Sequence, residues 1–274
     1  MSDSASGHAD VSVSAICTYD WSLEEDLAFY AEQGITNVGI SLVKLERHGW
    51  ADGAARVRDA GLRVTNLIGL GPFHLAHPGQ WEQQRDRLLH ALDAGVTIGA
   101  ECLVVTTGPA GPLPWEEAGD ALEEALGPVL TAARATSIPF ALEHTNSLRV
   151  DVGFVHTLHD VVDLARRLDI GVCMEINACW AERGLGATIA AGMDRIRLVQ
   201  VSDFAVGTLS TPNRLVPGDG DIPLARILGQ VLDAGYRGCF DLELIGPAIE
   251  AEGYATAVPR AVARLAELLT ALGP

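Results

Sequence analysis

Short runs of β-branched and apolar residues alternate along this chain with longer stretches whose apolar positions recur at helical spacing, and the alternation repeats eight times. The runs predict strands at Val11–Cys17, Asn37–Ser41, Leu62–Leu67, Cys102–Thr107, Phe140–Glu143, Gly171–Ile176, Arg197–Val201 and Cys239–Leu244. Between them, sets such as Leu158, Val161, Val162, Leu164 and Leu168, or Val258, Val262, Leu265, Leu268 and Leu272, each mark one apolar helix face. Gly34, Gly61, Gly95 and Gly235 stand where four of these helices should stop before the next strand. Strand then helix, at roughly 34 residues per unit, is the rhythm of a single (β/α)8 TIM barrel, an α/β architecture. An open, doubly wound sheet is the alternative. Its nucleotide-binding forms lose support because neither GxGxxG nor GxxxxGK[ST] opens the first helix.

No linker, low-complexity segment or shift of composition divides the chain, so residues 11–274 read as one barrel and residues 1–10 as a flexible tail. Hydrophobic residues make up 48% and charged residues 20%, the balance of a folded globular protein. The net charge of −17 repels phosphate backbones and anionic lipid, which argues against nucleic-acid and membrane partners and for a small-molecule substrate. Five cysteines, Cys17, Cys102, Cys173, Cys179 and Cys239, lie scattered in apolar runs without a CxxC pair and read as buried thiols of a reducing compartment. The polar first ten residues lack the basic start and apolar middle of a secretory signal, so the expected location is cytoplasmic.

Barrel strands are buried on both faces, so an acid near a strand's C-terminal end needs a partner or a task. In Phe140-Ala141-Leu142-Glu143 and Val172-Cys173-Met174-Glu175, alternation with large apolar neighbours turns the acid into the barrel. Leu198-Val199-Gln200-Val201 repeats the pattern with an amide, and Phe240-Asp241-Leu242-Glu243-Leu244 repeats it with an acid. Glu143, Glu175, Gln200 and Glu243 should therefore converge at one mouth of the barrel, where carboxylates raise one another's pKa unless a cation sits among them. The donors are all oxygen, which favours Mg2+ or Mn2+ over Zn2+.

The stretch from Ala141 to Gly246 resembles the xylose isomerase-like TIM barrel superfamily, often called the sugar phosphate isomerase/epimerase family. The resemblance is carried by Ala141-Leu-Glu143, Gly171-Val-Cys-Met-Glu175 with Trp180, Val199-Gln200-Val-Ser-Asp203, Pro217-Gly-Asp-Gly220 and Gly235-Tyr-Arg-Gly-Cys-Phe-Asp-Leu-Glu243. It implies that Glu143, Glu175, Gln200 and Glu243 hold one divalent metal, a set that the family usually writes Glu, Asp, His and Glu. Glu175 stands where Asp is usual and Gln200 where His is common, although hydroxypyruvate isomerases and some dehydroshikimate dehydratases of the superfamily also carry Gln. Ala178 replaces a substrate-contacting His, which opens the pocket to a partly apolar or cyclic ketone. Arg214, in Asn213-Arg214-Leu-Val-Pro-Gly-Asp-Gly, matches the arginine that touches substrate in ketose 3-epimerases.

The implied chemistry is a metal-dependent isomerase or epimerase acting beside a carbonyl, with Glu143 and Glu243 as the acid–base pair. A dehydratase or β-eliminating lyase is the alternative, and a non-catalytic binding barrel a further one. His74, Asn177, Trp180 and Arg149 are additional candidate substrate contacts at the same face. His144 should alternate out of the barrel, and Asp203 should cap the following loop or support the site. Lys44, the chain's sole lysine, should sit exposed at a helix start. The scarcity of basic residues expected at the mouth argues against a phosphorylated substrate. A homo-oligomer, dimer or tetramer, is expected from the resemblance.

Overall fold

A computed structural model describes residues 11–69, 73–136 and 138–273, so the expected tail over residues 1–10 lies outside the described residues. Eight strands form, β1 Val11–Ser14, β2 Asn37–Ser41, β3 Arg63–Ile68, β4 Leu103–Thr106, β5 Phe140–Glu143, β6 Gly171–Glu175, β7 Ile196–Val201 and β8 Phe240–Leu242. All pair in parallel and in order, and β8 returns to β1 through Val11↔Phe240, Ser12↔Asp241 and Val13↔Leu242. That closure excludes the open sheet and makes the chain a (β/α)8 barrel. The predicted first strand ends early because Ser14 Oγ accepts from the Ile16 N–H at 3.2 Å and turns Ala15–Thr18 into a 3-10 helix.

The helices cover the outside. Ser22 and Glu25 form a reciprocal capping box at the start of helix Leu23–Gln33, and Thr157 caps helix Leu158–Leu168 by accepting from the Asp160 N–H. The latter buries Leu158, Val161, Val162, Leu164 and Leu168, as its spacing predicts. Two readings need correction. Gly95 does not stop its helix: Trp81–Ile98 runs on to Gly99, at φ +76°, while a Cβ on Gly95 would lie 3.2 Å from Leu67 Cδ1 of β3. The glycine there serves close helix–strand packing. In the last helix, Tyr254–Leu272, the buried stripe is Ala257, Val258, Ala261, Leu265 and Leu269, and Leu272 is exposed. The small alanines let the helix approach more closely than the larger residues of the predicted face would.

Inside the barrel, strand alternation sorts the side chains into two sectors. Ile68, Cys102, Val104, Ala141, Cys173 and Leu198 pack as an apolar cluster separate from the main strand–helix core. On the other side, β8, β1 and β3 contribute Asp241, Ser12 and Asn66, all fully buried. The bare Gly39 of β2 makes room for Asn66, whose Nδ2 would stand 2.7 Å from a Cβ at that position. Among the described residues no helix is long and apolar enough to cross a membrane.

Lys44 is buried, not exposed as expected: its Nζ lies 2.6 Å from Asp26 Oδ2 and donates to the Thr18 carbonyl at 2.8 Å. Thr18 Oγ1 donates in turn to Asp26 Oδ1 at 2.6 Å, so the pair ties the β1 and β2 loops to the first long helix. Burial lifts the Asp26 carboxyl to about 6 even against the pull of Lys44. Replacing Lys44 with Met strands that carboxyl, and the expected cost is about 3 kcal/mol or more of unfolding free energy. The joint replacement Lys44→Met, Asp26→Leu is expected to cost markedly less. Urea unfolding of the three proteins measures both, and equal losses in single and double variants would mean that the stranded acid is not the cause.

Candidate active site

Each inward acid is set by the strand beneath it. Phe140 and Leu142 face the helices while Ala141 faces the barrel interior, which brings Glu143 inward at the end of β5. The same alternation around Cys173 turns Glu175 inward, and around Leu198 it turns Gln200 inward. On β8, Phe240, Leu242 and Leu244 face outward, leaving Asp241 and Glu243 stacked on the inner face. Register then aligns neighbours: Glu175 pairs with Gln200, Gln200 with Asp241, and Asp241 with Ser12. One polar row thus crosses four strands directly beneath the mouth.

Above it opens a cavity of about 540 Å3, lined among others by Glu143, Glu175, Glu243, Arg214, Asn177 and Arg149. A second hollow of about 600 Å3 lies at the opposite end of the strands, against Phe140, Gly171 and Arg197, and none of these glutamates lines it. The first is the one at the catalytic end of such barrels.

Arg214 is the centre of the site. Its Nη2 lies 2.6 Å from Glu175 Oε2 and its Nη1 2.5 Å from Glu243 Oε2, while Nη1 also donates to the Glu243 carbonyl at 3.1 Å. Glu175 Oε1 accepts from the Asn177 N–H at 3.0 Å, so the carboxylate is held at both oxygens. The loop that carries Arg214 is pinned by Asp203, whose carboxylate accepts from the N–H groups of Phe204, Gly218 and Ile222 at 2.9, 2.8 and 3.1 Å. Both expected roles of Asp203 merge here, since clamping the loop is how it supports the site. His144 is fully buried, and its Nε2 accepts from the Glu175 N–H at 3.3 Å. Burial depresses its pKa to about 3, which keeps the ring neutral.

The charges are poorly balanced. Burial, together with Glu243 and Glu175, pushes the Glu143 carboxyl well above the usual carboxylate range, and Glu143 has no hydrogen-bond or ion-pair partner among the described residues. Burial lifts Glu175 to about 7 against the pull of Arg214. It also lifts Asp241 to about 7, against the weaker opposing influence of the nearby Ser12 and Asn66 side chains. Burial opposes the guanidinium charge of Arg214, but Glu175 and Glu243 more than offset it and hold the group protonated.

Not every sequence candidate joins this centre. Gln200 lies below the floor, fully buried, with neither amide atom hydrogen-bonded among the described residues. Arg149 lines the rim but forks onto Asp151 at 2.9 and 3.0 Å. His74 is exposed and does not line the cavity; its carbonyl accepts from Trp81 Nε1 at 3.0 Å. Trp180 packs half-buried against the core and is likewise outside the cavity lining. Nor is the mouth poor in basic residues, because Arg47 and Arg87 reach it from the helices after β2 and β3, beside Lys44. Asp241 was open to the alternation argument that singles out Glu243 two residues later; Arg47 and Arg87 carry no such local signal.

Charge and donor chemistry decide whether these residues suit a divalent ion. Two buried carboxylates share one guanidinium, Glu143 stands without an ion-pair partner among the described residues, and Gln200 offers an unpartnered amide oxygen, so the all-oxygen set suits a hard divalent cation. In this arrangement no three His, Cys, Asp or Glu side chains among the described residues close on one point. Arg214 stands between two of the four proposed donors.

Residues 27–268 match the family model described as xylose isomerase-like TIM barrel. The inosose isomerase of Halalkalibacterium halodurans is 26% identical over 122 residues, a stretch covering 42% of this chain and 42% of that relative. This chain therefore spans under half the length of that relative. Among solved structures, the IOLI protein with a bound zinc atom superposes with a TM-score of 0.78 at 17% identity, covering 96% of this chain and 99% of that one. The 3-keto-D-glucoside 4-epimerase YcjR of E. coli does so with a TM-score of 0.75 at 17% identity, covering 96% and 100%. Identities this low carry the fold alone.

Asp241 makes the metal-free protein's stability depend on pH. Its carboxyl titrates near 7 in the folded chain against 3.8 ordinarily, so the folded state binds the extra proton between those values. The stability this contributes is complete at low pH and is lost as pH rises through about 7. Urea midpoints of chelator-treated protein are expected to fall between about pH 5 and pH 8. Asp241→Asn is expected to flatten that fall, and an unchanged slope in the variant would mean that Asp241 is ionised throughout.

Proposed function

The chain belongs to the xylose isomerase-like TIM barrel family, and from that membership and its carboxylate floor we propose that it is a metal-dependent isomerase or epimerase of a hydroxy-ketone. The observation that carries the reading is the convergence of Glu143 and Glu243 on one cavity with Arg214 beside them. Two relatives sharing the barrel are named as an inosose isomerase and a keto-glucoside epimerase, which supports this reaction class. A bound zinc atom in a third supports a divalent ion. Five buried free cysteines fit a reducing, cytoplasmic setting.

Glu143, Glu175, Gln200 and Glu243 would hold the ion, with Mn2+ or Mg2+ the best match to their oxygens. When bound, it supplies Lewis-acid polarisation of the substrate carbonyl. The chain's own groups then divide the proton work. Glu243 touches a guanidinium and serves as the carboxylate that takes the proton from the carbon beside the carbonyl. Glu143, whose surroundings favour the protonated form, returns a proton on the other side. Arg214 and Asn177 orient substrate oxygens at the cavity wall, and a ketone of sugar size fits the volume of about 540 Å3.

With Mn2+ supplied, the protein is expected to exchange a carbon-bound proton of its ketone substrate for deuterium in D2O. Glu143→Gln and Glu243→Gln are each expected to slow that exchange about a thousandfold while leaving the thermal midpoint nearly unchanged. A panel of open-chain and cyclic hydroxy-ketones read by NMR provides the measurement. Wild-type exchange rates in either variant would remove the acid–base pair, and a conjugated, ultraviolet-absorbing product would move the reaction to elimination.

A further inference from the structure

Two of the four proposed metal donors already have a cation. Arg214 spans Glu175 and Glu243 with one fork, at 2.6 and 2.5 Å, and its side chain is only 16% exposed. Glu143 has no such partner, and the Gln200 amide has none at either atom among the described residues. Arg214 therefore pairs directly with two of the donors, while Glu143 feels its charge only at longer range and Gln200, a neutral amide, has no hydrogen-bond partner among the described residues. A divalent ion touching all four would meet the guanidinium at contact distance inside a poorly solvated site, where like charges repel strongly.

We propose that Arg214 is the resident counter-cation of the metal-free chain, and that a divalent ion binds by displacing its guanidinium from Glu175 and Glu243 toward the substrate cavity. The inference rests on the metal-dependent reading above. It requires a side-chain swing with the backbone staying in place. The Arg214 N–H donates to the Ile245 carbonyl at 3.0 Å, and the adjacent Leu215 exchanges two backbone hydrogen bonds with Asp203 at 2.9 and 2.8 Å. The side chain itself borders the cavity of about 540 Å3, which gives it somewhere to go. Metal loading thereby releases the Nη1 and Nη2 groups for a substrate oxygen, and any substrate that holds the guanidinium in the cavity tightens metal binding by the same factor.

The test is calorimetric titration of chelator-treated full-length protein with MnCl2, in wild type, Arg214→Gln and Arg214→Lys. Displacement predicts that Arg214→Gln binds Mn2+ about tenfold tighter or more. It also predicts tighter binding by Arg214→Lys, which keeps the charge on a shorter side chain and lacks the rigid planar fork that reaches both carboxylates. Lysine behaving as wild type while glutamine binds tighter would mean simple charge repulsion and would overturn displacement. Equal affinity in all three would overturn it too, leaving metal dependence intact. No binding by any of the three would overturn both. Crystal structures of wild type with and without Mn2+ give a reading independent of how the variants fold: the Arg214–Glu175 contact should be present without metal and broken with it, and a contact retained with metal bound would refute the proposal.

Discussion

A closed parallel barrel has no wet face on its strands, so every charge on its inner surface must be neutralised, protonated or brought to the mouth. This chain places Glu143, Glu175, Asp241 and Glu243 on that surface and answers them with a single guanidinium. The ion pairs of Arg214 with Glu175 and Glu243 are the interaction on which the site depends. They fix two carboxylates in space, leave Glu143 and Asp241 in surroundings that favour the protonated form, and leave the site with more carboxyl groups than its one guanidinium can pair. That excess is what a divalent cation would relieve.

Much of the surrounding structure serves to place that one guanidinium and its partners. Asp203 accepts three backbone N–H groups and so holds a long loop in the shape that delivers Arg214 across the barrel mouth. His144, buried and neutral, accepts the Glu175 N–H and supports the end of β6 from behind. Lys44 and Asp26 perform the corresponding service at the opposite wall, where they join the turns after β1 and β2. Each of these groups restrains a wall of the cavity.

The division of the barrel interior has a functional reading. The apolar cluster of Ile68, Cys102, Val104, Ala141, Cys173 and Leu198 fills one sector and needs no solvation. The polar sector of Ser12, Asn66, Gln200 and Asp241 runs beneath the cavity floor, and Gly39 gives up its side chain to make space for Asn66. Polarity is thus concentrated under the cavity carboxylates, while the rest of the interior packs as an ordinary core. A barrel can afford buried polar groups only where they are few and close to the mouth.

Side-chain alternation along a strand is a local property, and so the inward turn of Glu143, Glu175, Gln200 and Glu243 was legible from their neighbours alone. The count and order of strands were legible for the same reason, as was the capped stripe of Leu158–Leu168. What the sequence left undetermined depends on which distant segments meet when the barrel closes. Gly95 looks like a helix stop until Leu67 packs against it, and Lys44 looks exposed until Asp26 and Thr18 arrive from the segment after β1. Arg47 and Arg87 reach the mouth only because helices after two different strands end up around it. Local pattern determined which groups face inward; closure of the barrel decided which charge meets which, because partners separated by 39 and 29 residues share no local signal.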